Sequence, residues 1–390
     1  MATPTIIYCD PSIDANSGNG TLGDPYGRYG YMLSSMTFNT SLGNFLAIKQ
    51  GTTIVGSDWA IPFNPTSLAQ LTHVVWSGSG AFDPNADPTV LTAPTFDGNA
   101  INTPIFDFWN GASHQKNYVN WFYFRFTNGG SSEPLVQLYQ YWNFAHCEFT
   151  NSSGGGIGTV GPSASTSVFG CFFHNLGLAA CYGASRVHSC YFLDRGTRNF
   201  VTVCQAAYNV ANTIFDINGG IAISCTVPVL ATNNTLIQRT KGTIHDGIWF
   251  SKDTLAYASQ ITNNIFVGFQ AALGGWLGAY DLPVFFGNSF YDNTADFNAM
   301  DAVLMGDVVP ASPGGTNNEK LAEDPFNRTG SKPTSLSDFA NRFAYYRTKD
   351  IGLLRTGGYP FGSGQHRGAV PPLVGGGGGG VILEEPAEWI

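Results

Sequence analysis

His146-Cys147-Glu148-Phe149-Thr150-Asn151 restates Tyr123-Phe124-Arg125-Phe126-Thr127-Asn128 one short period earlier. Weaker forms follow at Gly170-Cys171-Phe172-Phe173, Ser189-Cys190-Tyr191-Phe192, Asn212-Thr213-Ile214-Phe215, Asn233-Asn234-Thr235-Leu236, Asn263-Asn264-Ile265-Phe266 and Gly287-Asn288-Ser289-Phe290. The last apolar residue of each phrase serves as an anchor: Phe126, Phe149, Phe173, Phe192, Phe215, Leu236, Phe266 and Phe290. Successive gaps are 23, 24, 19, 23, 21, 30 and 24 residues. That period is too short for a helical-repeat pair and too long for a hexapeptide coil. It fits one turn of a solenoid with about three short strands per turn. The fold class is therefore all-β, a right-handed parallel β-helix with capping segments at both ends. The longest gap, Leu236 to Phe266, predicts an inserted loop around Lys241–Tyr257.

Two further ladders accompany the anchors. Two residues before each lies Phe124, Cys147, Cys171, Cys190, Thr213, Asn234, Asn264 or Asn288. Residues two apart on a strand share a face, so both ladders point inward and stack at the ~4.8 Å strand spacing. Stacked Asn side chains hydrogen-bond along the stack and so avoid the cost of burying an amide. Two residues after each anchor lies Asn128, Asn151, Asn175, Asp194, Ile217, Gln238, Gly268 or Asp292, mostly turn formers.

Composition agrees: 48 Gly and 14% aromatic residues, with few strong helix formers. Each coil contacts only its neighbours, so 390 residues form one elongated domain. Residues 1–70 are expected to supply an N-terminal strand, cap and first coil, 71–300 the coils, 301–372 a C-terminal cap and return segment, and 373–390 a glycine tether and docking tail. Gly375 to Gly380 is the tether. The tail it carries presents Val381, Leu383, Trp389 and Ile390. A formal charge of −9 with 12% charged residues argues against nucleic-acid binding. No stretch of about 20 apolar residues suggests a membrane span. Met1-Ala2-Thr3-Pro4-Thr5-Ile6 has no basic n-region or apolar h-region and reads as no secretory signal. Seven Cys is an odd count, and three fall in one internal ladder, so reduced, buried thiols are expected.

Ile6-Ile7-Tyr8-Cys9-Asp10-Pro11, the Asp14–Thr21 turn and Phe45–Gly56 resemble the opening strand, turn and first coil of the pectate-lyase-like superfamily of right-handed β-helix proteins. Asp324-Pro325-Phe326, Asp338-Phe339 and Arg367-Gly368-Ala369-Val370 resemble its closing segment, although Arg367 stands where an acidic residue is expected. The resemblance implies the fold. It leaves activity open among lyase, hydrolase, adhesin and inert virion part.

Candidate chemistry is sparse. His188, Asp194, Arg195 and Arg198 form one polar cluster, with Arg as base and Asp as Ca²⁺ ligand if the chain were a lyase. The plain alternative is that Asp194 belongs to the turn ladder. Asp216 lies about one rung from Asp194, a spacing conceivable for glycoside hydrolysis. Asp246 sits in a second cluster with Lys241, His245, Lys252 and Asp253, on the predicted loop. Asp10 and Asp14 are weak Ca²⁺ candidates, since Asp/Asn/Gly turns need no metal. Trp109, Trp121, Tyr139, Tyr141, Trp142, Trp249 and Trp276 are read as exposed aromatics for a subunit interface or a glycan. No catalytic residue and no cofactor is favoured.

A β-helix without an export signal suits a phage particle, which assembles in the host cytoplasm. The expected function is a virion structural protein, a capsid decoration or spike at the virion surface. It would be a homotrimer docked on a major capsid or tail protein and able to meet a host-surface glycan. The alternatives are a tailspike-like lyase or hydrolase and a non-catalytic glycan-binding adhesin, with an extracellular location.

Overall fold

The computed structural model describes residues 5–39, 41–57, 59, 61, 65–66, 69–80, 82–83, 85–107, 118–130, 132–138, 141–194, 202–205, 207–240, 246–251, 259–275, 284–299, 305–306, 318–351, 354 and 367–370. Its strands form two sheets, one of 19 strands and one of 11. Among the described residues every strand pairing is parallel except that of Phe297–Asn298 with Met305–Gly306. The chain is a parallel β-helix, with the right hand that parallel crossovers take.

The repeated phrase is the corner between the sheets. Trp142–Ala145 of the first sheet leads to His146, then Cys147, then Glu148–Ser152 of the second. His146 has φ 53°, and Ser189, Asn212, Asn233 and Asn263 at the same corner have φ 54°, 52°, 54° and 60°. This left-handed region is sterically costly for most side chains and least so for Gly and Asn. That is why the phrase opens with Asn or Gly so often. The turn ladder uses the same conformation after the second sheet, at Asn128, Asn151, Asn175 and Asp292. Asp194, Ile217 and Gln238 stand on that ladder by spacing but are not left-handed among the described turns.

The anchors form the core. Phe126, Phe149, Phe173, Phe192 and Phe215 stack ring on ring, with centroids 5.0, 4.8, 4.7 and 5.0 Å apart and planes within 16°. Leu236 interrupts the stack, and Phe266 and Phe290 resume it at 5.5 Å. Beside it runs the inner polar ladder. The Asn234 N–H donates to Asn264 Oδ1 (2.9 Å), Asn264 N–H to Asn288 Oδ1 (2.9 Å), and Asn288 N–H to Asn318 Oδ1 (2.8 Å). Each amide also donates inward, as from Asn264 Nδ2 to Ala231 O (2.9 Å). Thr213 and the thiols of Cys171, Cys147 and Cys190 continue the same bonding toward the N-terminus. All seven Cys are free and buried. Burial pushes the thiols of Cys171, Cys181 and Cys204 well up, which removes the reactive thiolate. None of the seven is expected to react with an aromatic disulfide reagent before unfolding. Labelling of even one in native buffer would contradict the ladder.

Trp121 and Trp142 correct the expectation of exposed aromatics: both are fully buried. They sit at inward positions of Val119–Phe122 and Trp142–Ala145, whose exposure alternates. Trp121 stacks at 3.6 Å on the buried His73, whose Nε2 meets Tyr29 Oη at 2.9 Å. The predicted Lys241–Tyr257 loop is also corrected, because Asp246–Phe250 is a strand of the first sheet. Residues 241–245 and 252–258 lie outside the described part.

The N-terminal edge and the outer face of the second sheet are covered by the chain itself. Residues 18–27 hydrogen-bond to the edge strand Thr5–Cys9, through Tyr8 N–H to Gly20 O and Tyr26 N–H to Tyr8 O, both 2.9 Å. An edge so covered cannot pair with another chain there. The helix Tyr29–Ser35 buries Tyr29, Met32 and Leu33 against the first coils. After Glu319–Lys320, the last rung of the second sheet, the chain becomes a strap over that sheet's outer face. Phe339 of the strap lies on Phe172 and Tyr191, and Ala369 N–H donates to Thr235 Oγ1 (3.0 Å). Arg367, fully buried, donates to Asn288 O, Ser289 Oγ and Glu319 Oε1. That Glu319 contact explains why a base replaces the expected acid.

Candidate functional site

The carboxylates chosen from sequence separate into a structural pair and one in another place. Asp216 registers with Leu193, not with Asp194, so the two acids do not face each other as a catalytic pair. Asp194 Oδ2 accepts from Asn218 N–H (2.7 Å) and is buried. Asp216 is fully buried beneath the strap. It accepts from Arg239 Nε, from Lys332 Nζ at 2.6 Å and from the Tyr346 hydroxyl, which meets the Tyr191 hydroxyl at 2.6 Å. Burial alone would raise the Asp216 carboxyl, but Arg239 and Lys332 outweigh it and hold it below the usual carboxylate range. This is a closed ionic latch. Arg195 and Arg198 lie outside the described residues.

A second array, missed in the sequence, lies on the same outer face. Glu148 accepts from Arg125 Nε and meets His174 Nε2, both at 2.7 Å, while His174 Nδ1 faces Thr150 Oγ1 at 3.2 Å. Burial would raise Glu148, and the His174 and Arg125 contacts bring it down. Both oxygens and both ring nitrogens are engaged within the array, so it braces neighbouring rungs. Asp10 and Asp14, the weak Ca²⁺ candidates, contact Lys49 at 2.6 Å and Arg28 at 2.9 Å. Among the described residues no three acidic, His or Cys side chains group to hold a metal.

Asp246 is different. The strands of the first sheet around it turn two consecutive residues inward: Val203 and Cys204, Ala222 and Ile223, Ala272 and Leu273, all fully buried. A Cβ on Gly247 would lie 2.9 Å from the Phe266 ring, which fixes the inward direction. The residues flanking such a pair both face out and converge. A Cβ on Gly158 would lie 2.8 Å from the Pro134 ring one rung below, and a Cβ on Gly274 would collide with the Asp246 carboxyl in the same way. The outer face is therefore concave, a groove parallel to the solenoid axis. One wall carries Thr202 and Ile221, which pair in register, and Asp246 and Ala271, which do the same, with Ile221 and Asp246 each two residues before the paired Ile223 and Ile248. The other carries Tyr182, Gln205, Ser224, Trp249 and Gly274, also one per rung. Tyr182, Gln205, Ser224 and Trp249 are half-buried. Tyr182 and Trp249 stand three rungs apart, roughly 14 Å at the ~4.8 Å spacing.

Trp249 is thus the one aromatic of the sequence-chosen set that the described residues place on this surface. Trp109, Tyr139, Trp276 and the tail residues Val381, Leu383, Trp389 and Ile390 lie outside the described residues. Tyr141 is half-buried and stacks on Tyr118 at 4.6 Å.

No family model and no curated protein matches the chain. Solved structures resemble it at the level of fold. Pectate lyase Pel9A is 13% identical with a TM-score of 0.45, covering 96% of this chain and 98% of its own. The GH136 lacto-N-biosidase from Eubacterium ramulus, in its native form, is 10% identical with a TM-score of 0.39, covering 82% of this chain and 67% of its own.

Proposed function

We propose that this protein is a rigid, glycan-engaging rod at the surface of a phage particle, a capsid decoration or spike that meets a linear glycan along the groove of its first sheet. The observation that carries the reading is the wall of Tyr182, Gln205, Ser224 and Trp249 at one-rung intervals on a concave face. Aromatic faces interleaved with amide and hydroxyl groups suit the apolar faces and hydroxyls of sugar rings. Binding is favoured over cleavage because Asp194 and Asp216 are engaged elsewhere, and glycoside hydrolysis in its usual form takes two facing carboxyls. The particle assignment draws support from seven reduced thiols, which suit folding in a reducing host cytoplasm. A homotrimer docked on a capsid or tail protein completes this reading.

The test is to incubate purified protein with host surface polysaccharide while following binding, new reducing ends and unsaturated sugars. Binding without product is expected, with Trp249→Ala weakening it by about tenfold or more. Any product would overturn the non-catalytic reading. Binding untouched by Trp249→Ala would move the glycan away from the groove.

A further inference from the structure

We propose that Asp246 makes the groove a receptor for a cationic glycan, one whose sugars carry free amino groups; this rests on the groove being the glycan site. Asp246 is 4% exposed, and its carboxyl is turned to the outer face into the space a Gly274 side chain would fill. Its rung neighbours are Ile221 and Ala271, and across the groove lie Ser224 and Gly274, none of them charged. Among the described residues no donor or cation reaches it; residues 241–245 and 252–258 beside it lie outside them.

The contrast with three other buried acids is informative. Asp10, Glu148 and Asp216 each have basic partners that hold them below the ordinary range despite burial. Among the described residues Asp246 has none, and burial pushes it up to about 6. It is therefore largely ionised at neutral pH, desolvated and, among the described residues, without a counter-charge. A cation entering the groove relieves that state, since a buried charge is stabilised by pairing. Trp249 on the facing wall adds an aromatic face of the kind that attracts an ammonium group. A uronate would set two carboxylates together, and an uncharged sugar would leave Asp246 uncompensated. The chain's net charge of −9 also favours encounter with a polycation.

Titration calorimetry decides it, using a glucosamine oligomer, its fully N-acetylated counterpart and a galacturonate oligomer of equal length. The wild type is expected to bind the amine oligomer about tenfold more tightly than the N-acetylated one. Asp246→Asn, which keeps the shape, should abolish that preference and keep the N-acetyl affinity. An N,N,N-trimethylated oligomer, whose charge does not titrate, should lose affinity for the wild type as pH falls through about 6 and show no such step with Asp246→Asn. A flat wild-type profile overturns the inference. So does preferential binding of the N-acetyl or uronate oligomer; if Trp249→Ala weakens that binding, the groove itself stands. Failure of all three oligomers to bind overturns the inference and counts against the groove as well.

Discussion

Asp216→Ala is expected to destabilise the protein by about 3–5 kcal/mol, the range for breaking a buried pair on one side. The loss has a location. Asp216 is on a coil strand, whereas Lys332 and Tyr346 are on the strap, so the substitution leaves Arg239, Lys332 and the Tyr346 hydroxyl without their shared acceptor. Arg239 Nη2 keeps its bonds to the Asp194 and Asp216 carbonyls. The coils should therefore persist while the strap loosens, as local unfolding in a solenoid permits. Limited proteolysis should cut first within 321–351, and urea unfolding should begin earlier. A strap as resistant as the wild type's would show that Asp216 does not hold it. Replacing Asp216 and Lys332 together with apolar residues should recover part of the loss, because the penalty arises from unpaired charge. The pH dependence has a definite sign. The folded Asp216 is held below its unfolded value, so its contribution is complete above the ordinary carboxylate range and disappears as pH falls through the depressed folded value. The wild type and Asp216→Asn should therefore converge in stability only in strong acid.

The latch also shows what sequence could and could not reveal. The repeat was legible because its determinants are local: a left-handed corner residue, an inward polar residue and an inward apolar residue, all within four positions. The role of Asp216 was not, since Arg239 is 23 residues away and Lys332 116. Trp121 and Trp142 were readable, for each lies two residues from an inward Val119 or Phe144 on its strand and so shares the core face. The groove was hidden for the opposite reason. Two successive inward residues, as at Val203-Cys204 and Ala222-Ile223, break the period of two that marks a strand's faces. Asp246 then looks like a loop acid, although it opens a core strand.

The inner ladder supports the second large prediction. Asn264→Ala removes the acceptor of the Asn234 backbone N–H (2.9 Å) and of Asn234 Nδ2 (3.0 Å). It also removes the donor to Ala231 O (2.9 Å) and to Asn288 Oδ1 (3.1 Å). Asn234 Nδ2 keeps Val210 O and Asn288 Oδ1 keeps the Asn264 N–H, so two buried groups lose their partner at about 1–3 kcal/mol each, about 2–6 kcal/mol in all. Asn264→Thr should cost less, about half as much. The ladder already shows why at Thr213, whose hydroxyl accepts from Cys190 N–H and donates to Ala211 O at the same corner. A hydroxyl can thus replace the acceptor for the chain below, and only the amide's longer reach is lost. Native-state hydrogen exchange reads this at the right atom: the Asn234 N–H should lose protection strongly in the alanine variant and modestly in the threonine variant. Equal behaviour of the two variants would mean that packing volume, not the directed bond along the stack, holds the corner in register. The same logic explains why the thiols of Cys147, Cys171 and Cys190 suffice nearer the N-terminus. There the ladder runs beside the ring stack of Phe126 through Phe215, which adds contact area that the Asn-bearing coils lack where Leu236 interrupts it. Weak sulfur bonds are therefore tolerated where the rings stack without a break, and the amides begin at Asn234, in the coil where Leu236 interrupts the rings.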